Sequence, residues 1–290
     1  MKFLQVIARM FSKKIESVAE ILPYYDHYII DLWGVVHDGT ELYPSAINAL
    51  KTIKGAGKKI IFLSNAPRRK HKVGERLDSF GIERSLYDDI VSSGEILFNT
   101  IDQYISREQK NYFYIGYEKD MDILEDTNFI QTNDIEKADF ILCADLEDGL
   151  TDRMSEGLKE NLKIASEKGL IFLCANPDIY IVKQSGGTQY CAGYIGDYYE
   201  KMSGKVIYFG KPYGDGYKDC LKAFSTDDLS RVVAIGDSFH TDIKGASNFG
   251  IDSLLVKCGI HRDSLKEDLG LEKLVQEYKI CPTFNIESFK

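Results

Sequence analysis

The sequence predicts an α/β protein built on parallel sheets, and three observations carry that expectation. Short β-branched and aromatic runs alternate with helix-length stretches. The runs lack polar alternation, as strands buried on both faces do. Helical stretches such as SAINALKTIKGAG and SEGLKENLKIASEKG close on glycine, a helix C-terminal signal. A strand and its parallel partner need a crossover connection, so alternating strands and helices mean parallel pairing.

The strand runs, in order, are YIID (28–31), KIIFLSN (59–65), YFYIG (112–116), DFILCA (139–144), LIFLCAN (170–176), VIYFGK (206–211), RVVAIGD (231–237) and DSLLVKCG (252–259). Ahead of them, Phe3, Leu4, Ile7, Phe11, Ile15, Val18 and Leu22 recur at helical spacing and predict an amphipathic N-terminal helix packed on the body. The stretch from Tyr180, with Gly186-Gly187 as a turn, reads either as a β-hairpin or as a ligand-facing loop. CAGYIGDYYEKMSG after it reads as a helix.

At roughly 100–200 residues per domain, 290 residues suggest about two domains. With 36 Lys+Arg against 45 Asp+Glu the net charge is −9, so bulk charge attracts neither nucleic acid nor an anionic membrane. No apolar run approaches the roughly 18–20 residues of a membrane span. The N-terminal apolar stretch is broken by Gln5 and Arg9, and no small-residue cleavage site follows, which argues against a signal peptide. Six cysteines without a CxxC pair read as buried small hydrophobes in a reducing cytoplasm, where the protein is expected.

In open α/β sheets ligands bind at the carboxyl ends of the strands. There the sequence places Asp31, then Gly34 in a loop where backbone N–H groups can face an anion. Ser64-Asn65, Gly210-Lys211-Pro212, and Gly236-Asp237 with Asp242 stand at the ends of other strands. Carboxylates hold Mg²⁺ through oxygen and leave room for waters and a phosphate. A lysine neutralises charge that develops in phosphoryl transfer, a serine hydroxyl donates to a phosphoryl oxygen, and an Asp can attack phosphorus.

In this order the residues resemble the haloacid dehalogenase superfamily of phosphohydrolases, in its class IIA branch, the 4-nitrophenylphosphatase-like group. The four motifs are DLWGVVHDG (31–39), FLSN (62–65), YFGKP (208–212) and IGDSFHTDIKGA (235–246). The resemblance implies a doubly wound parallel-sheet core, residues 1–95 plus 206–290, with an inserted α/β cap, residues 96–205. Between Ser64 and Lys211 lie 146 residues, where a plain βαβ step takes only about 30. By resemblance, Asp31 is the nucleophile, Ser64 and Lys211 bind phosphate, and Mg²⁺ sits on Asp31, the Trp33 carbonyl, Asp237 and Asp242. Gly34 and Asn65 in the core, with Asn176, Asp178 and Tyr180 from CANPDIY in the cap, are the candidate substrate contacts. Lys183, Gln184 and Thr188 are their polar neighbours. The expected partner is a small phosphorylated substrate, and a homodimer follows from the family's habits.

One departure bears on function. Phosphatases of this superfamily carry Asp two residues after the nucleophile, and here that position is Trp33, the chain's only tryptophan. The missing acid protonates the leaving group, help typically worth about 10²–10⁴-fold. Three readings stay open: another acid such as His37 or Asp38 replaces it, the leaving group needs no proton, or the fold survives as a catalytically weak binding or regulatory protein.

Overall fold

The computed structural model describes residues 11–146, 154–182 and 187–290. These form two compact units. The first takes the described residues up to Ser64, with Gly74–Val91 and Tyr217–Lys290. The second takes Asn65–Val73 and the described part of Ser92–Gly216.

The first unit holds a seven-stranded sheet. Its strands are β1 (Lys13–Lys14), β2 (His27–Ile30), β3 (Lys59–Ser64) and β4 (Asp89–Ser92) from the early chain. The second unit supplies β5 (Asn111–Ile115), β6 (Ile130–Thr132), β7 (Phe140–Cys143), β8 (Ile171–Cys174), β9 (Tyr180–Val182), β10 (Thr188–Tyr190) and β11 (Lys205–Tyr208). The late chain returns to the large sheet with β12 (Val232–Gly236), β13 (Asp252–Val256) and β14 (Phe284–Ile286). The large sheet runs β1-β14-β13-β12-β2-β3-β4. β12 lies at its centre, and all five of its residues are buried, which is why VVAIG shows no polar alternation. Each fully buried Val or Ile there contributes about 1.5–3 kcal/mol.

Register fixes where the chemistry falls. Ile30 lies opposite Ile235 on β12 and opposite Phe62 on β3, all in parallel. Asp31, Gly236-Asp237 and Ser64 therefore all come at or just past the same, carboxyl, edge of the sheet.

In the second unit the sheet order is β11-β8-β7-β5-β6, with β9 and β10 as a separate antiparallel pair. Its core gathers Ile141, Phe172, Leu162, Ile195 and Tyr199 between strands and helices. The helix Glu156–Glu167 starts where Ser155 accepts a hydrogen bond from the Leu158 N–H at 3.1 Å. Cys143, Cys174 and Cys191 are buried, as small apolar residues are. Burial pushes the Cys143, Cys174 and Cys191 thiols above their usual range.

Two features depart from the sequence expectation. The expected N-terminal helix does not form over residues 11–22, and Phe3, Leu4 and Ile7 lie outside the described residues. Lys13 and Lys14 instead pair in parallel with Phe284 and Asn285. Without them β14 would present an unpaired edge, and that demand outweighs the helical spacing. Val18–Ile21 form one 3₁₀ turn, capped reciprocally by Ser17 and Glu20, which buries Val18 and Ile21. Second, the strand that begins at Lys205 pairs with β8 in the smaller sheet, Tyr208 opposite Cys174, and the second unit runs on to Gly216. The sequence-based division returned to the larger unit at residue 206. Its extra length, up to Lys211, is a turn, because Gly210 takes a φ of +106°.

Candidate active site

In the first unit the chain leaves β2 at Asp31, whose backbone N–H donates to the Ile235 carbonyl at 2.9 Å. Asp237 follows β12, and Asp242 sits on the one-turn π-helix Phe239–Ile243. Carboxylate oxygens of Asp31, Asp237 and Asp242 all lie within 4.8 Å of one another. All three residues are buried. Three buried carboxylates at this spacing repel one another unless a cation joins them.

The surroundings suit a hard cation. The donor set is all oxygen, which is what Mg²⁺ takes. The Asp237 carboxylate lies in a cradle of two glycines. A Cβ on Gly34 would come within 2.1 Å of its Oδ2, and one on Gly259 within 2.0 Å. Asp237 Oδ2 accepts the Ile260 N–H at 2.6 Å. Asp242 Oδ2 accepts the Ser238 N–H at 3.2 Å and the Thr241 hydroxyl at 3.5 Å. The residues present therefore fit a divalent metal.

The loop after Asp31 turns on the Leu32 carbonyl, which accepts the N–H groups of Val36 and His37 at 2.9 and 3.1 Å. Gly34, expected to turn its N–H toward an anion, donates it to the His37 carbonyl at 2.8 Å. What demands glycine here is Asp237 at its back and a φ of +81°. Trp33 is half-buried, its ring over Gly39, where a Cβ would fall within 2.2 Å of it.

The two expected replacement acids are both built into this loop. His37 packs on Phe80 at 4.9 Å, and its Nδ1 accepts the Gly39 N–H at 3.0 Å. The neutral ring then carries its proton on Nε2. Burial lowers its pKa to about 4, so at neutral pH it has no acidic proton to give. Asp38 Oδ1 accepts the N–H groups of Thr40 and Glu41 at 2.8 and 2.7 Å, which closes the turn.

Ser64 is the buried last residue of β3. In the second unit, Asn65 holds the Lys211 peptide from both sides. Its Oδ1 accepts the Lys211 N–H at 2.7 Å, and its Nδ2 donates to the Lys211 carbonyl at 3.1 Å. The same Nδ2 donates to Asp178 Oδ1 at 2.9 Å. Asn176 Oδ1 in turn accepts the Asp178 N–H at 3.1 Å. Lys211 itself is 3% exposed. Gly210 admits Asn65 because a Cβ there would meet its Oδ1 at 2.5 Å. The CANPD turn thus joins the lysine turn through one asparagine. Tyr180, 40% exposed, opens β9 of the antiparallel β9–β10 pair and meets the Tyr190 ring edge-on at 6.3 Å. Thr188 opens β10, while Lys183 and Gln184 lie outside the described residues.

Residues 28–130 match a family model described as haloacid dehalogenase-like hydrolase, and residues 208–289 match a second, described as HAD-hydrolase-like. The two matches carry all four motifs. This chain is a haloacid dehalogenase-like hydrolase.

The hydrolase is 27% identical to 5'-nucleotidase YutF of Bacillus subtilis over 253 residues, 84% of this chain and 92% of that protein. It is 26% identical to an acid sugar phosphatase of Staphylococcus epidermidis over 274 residues, 92% of this chain and 96% of the relative. A solved haloacid dehalogenase-like hydrolase from Brucella suis superposes with a TM-score of 0.82 at 28% identity, covering 95% of this chain and all of that one. Among the described residues of the hydrolase, no helix is long and apolar enough to cross a membrane.

Sequence reasoning missed the third side of the carboxylate group in this hydrolase, the turn Gly259-Ile260-His261. Its signal was present: glycine just past the carboxyl end of β13, at the same sheet edge as Asp31 and Asp237.

Proposed function

We propose that this hydrolase is a Mg²⁺-dependent phosphohydrolase for a small phosphorylated metabolite, of the nucleotide or sugar phosphate type. It works through an aspartyl phosphate on Asp31. The observation that carries the reading is the convergence of the Asp31, Asp237 and Asp242 carboxylates at one sheet edge. The names of the nucleotidase and sugar phosphatase relatives support the substrate class.

Asp31, Asp237, Asp242 and the Trp33 carbonyl would hold Mg²⁺, which when bound neutralises charge on the phosphate. An Asp31 oxygen attacks phosphorus, the bond to the leaving oxygen breaks, and the electron pair departs with that oxygen. Water then attacks the phosphorus, frees inorganic phosphate and regenerates the carboxylate. Ser64 donates a hydrogen bond to a phosphoryl oxygen, and Lys211 supplies positive charge. Asn65 serves by fixing the Lys211 backbone. Asn176 and Asp178 support that arrangement, and the exposed Tyr180 ring offers a face to a base or sugar.

Trp33 has no proton to give the leaving group, and the positions of His37 and Asp38 do not replace it. Acid–base help is therefore weak, and activated phosphates such as acetyl or p-nitrophenyl phosphate react faster than alkyl esters. The same observation favours a second reading, in which the fold binds a phosphorylated metabolite with little or no turnover.

A panel of nucleoside monophosphates, sugar phosphates, acetyl phosphate and p-nitrophenyl phosphate, with Mg²⁺ and with EDTA, separates the two. The expected outcome is Mg²⁺-dependent phosphate release that Asp31→Asn reduces to background. No release from any compound, with one of them still bound by calorimetry, would establish the second reading instead.

A further inference from the structure

Three contacts from one short turn converge on the carboxylates of motif four. Gly259 leaves space for the Asp237 carboxylate, as its missing Cβ would stand 2.0 Å from Oδ2. The Ile260 N–H donates to that same oxygen at 2.6 Å. His261 reaches the other carboxylate's segment: its Nε2 accepts the Phe239 N–H at 3.1 Å. Phe239 opens the π-helix that carries Asp242, and its N–H is one of the first-turn donors that no intrahelical carbonyl can satisfy. The His261 ring is seated between Phe239, edge-on at 5.6 Å, and Tyr278 at 6.1 Å.

We propose that His261 is a positioning residue for the metal-binding carboxylates, tying the Asp242 turn to the loop that holds Asp237. The proposal rests on the reading that Asp31, Asp237 and Asp242 bind Mg²⁺. The ring touches none of the reacting atoms in this assignment. It acts by capping the Phe239 N–H, so that one turn fixes Asp237 directly and Asp242 through its helix. The chemistry requires an acceptor at the Nε2 position. Outer partners of this kind typically tune metal affinity by about 10–100-fold. A histidine that merely fills the space between Phe239 and Tyr278 would support stability and leave metal affinity alone.

The test compares His261→Gln, whose amide oxygen can reach the Nε2 position, with His261→Asn, which is one carbon shorter, and with His261→Ala. Mg²⁺ affinity of the substrate-free protein is measured by calorimetry, and amide hydrogen exchange is followed at Phe239. The expected result is about a tenfold or greater loss of Mg²⁺ affinity in the Asn and Ala variants. Their Phe239 amide exchanges faster, and the Gln variant recovers most of both. If His261→Ala does not fold, the Gln and Asn pair decides the question alone, since both keep a polar side chain of similar bulk. Folded Asn and Gln variants with wild-type Mg²⁺ affinity overturn the proposal. Wild type and Asp237→Asn serve as the reference pair. A wild type that binds no Mg²⁺ overturns the site reading, whereas binding lost in Asp237→Asn but unchanged on losing the His261 acceptor overturns only this inference.

Discussion

Trp33 stands two residues after Asp31, where the proposed mechanism would use an acid, and its surroundings give the ring a structural role. Its ring lies against Gly39, whose φ of +87° and missing Cβ leave room for the indole. The His37 ring meets it edge-on at 6.0 Å. An aspartate here would restore a proton donor but leave the ring's space empty. We expect Trp33→Asp to raise turnover of alkyl phosphate esters by about 10²-fold, the lower end of general acid help. It should also cost stability, at most about 3 kcal/mol for a half-buried tryptophan. Turnover of a sugar phosphate and thermal unfolding of the same preparation check both parts. A folded variant with unchanged turnover would mean that another group already supplies the proton. That Trp33 follows Asp31 by two residues was legible in the sequence. The roles of His37 and Asp38 in closing the loop were not, because they lie in which backbone N–H each side chain accepts.

At the scale of elements, the carboxyl end of β12 shows how a strand terminus is fitted to its site. Gly236 is the last strand residue, and a Cβ on it would fall 2.0 Å from the Asp242 carboxyl carbon. Asp242 folds back over the strand end, and only glycine leaves room. Gly236→Ala should push Asp242 out of line, costing about 1–3 kcal/mol in overpacking, and should weaken Mg²⁺ affinity at least as much as losing the His261 acceptor. Denaturant unfolding and calorimetry read the two effects separately. The core strands were legible because burial on both faces leaves an unbroken apolar run. β1 was not legible, since two lysines carry no strand pattern and pair only because β14 needs a partner. The carboxylates were legible from the strand-end rule, whereas the clamp of Asn65 on Lys211 depends on contacts across 146 positions of sequence that no local pattern records.

Across the whole molecule, the histidines set a pH response. Four of the five have pKa values lowered, chiefly by burial. His37 and His261 fall to about 4, and His27 and His240 move in the same direction. An unfolded histidine titrates near 6.5. Between about pH 6.5 and 4 the unfolded chain therefore binds more protons than the folded one, and stability rises with pH across that window. The contribution is complete above pH 6.5 and is lost as pH falls toward the folded values. Asp26 works in a separate range. Hydrogen bonds from Arg231 and Lys58, each at 2.7 Å, hold its carboxyl well below the usual carboxylate range, so its contribution persists until below about pH 4. Urea unfolding at pH 7, 6 and 5 should thus show stability falling by up to about 1.4 kcal/mol per pH unit for each histidine in its window. His37→Asn keeps an acceptor near the Gly39 N–H but cannot titrate. It should remove one proton's share of the slope while leaving stability at pH 7 within about 1 kcal/mol of wild type. An unchanged slope in that variant would mean that the His37 ring is protonated in the folded protein at pH 5, against the acceptor role its Nδ1 plays toward Gly39.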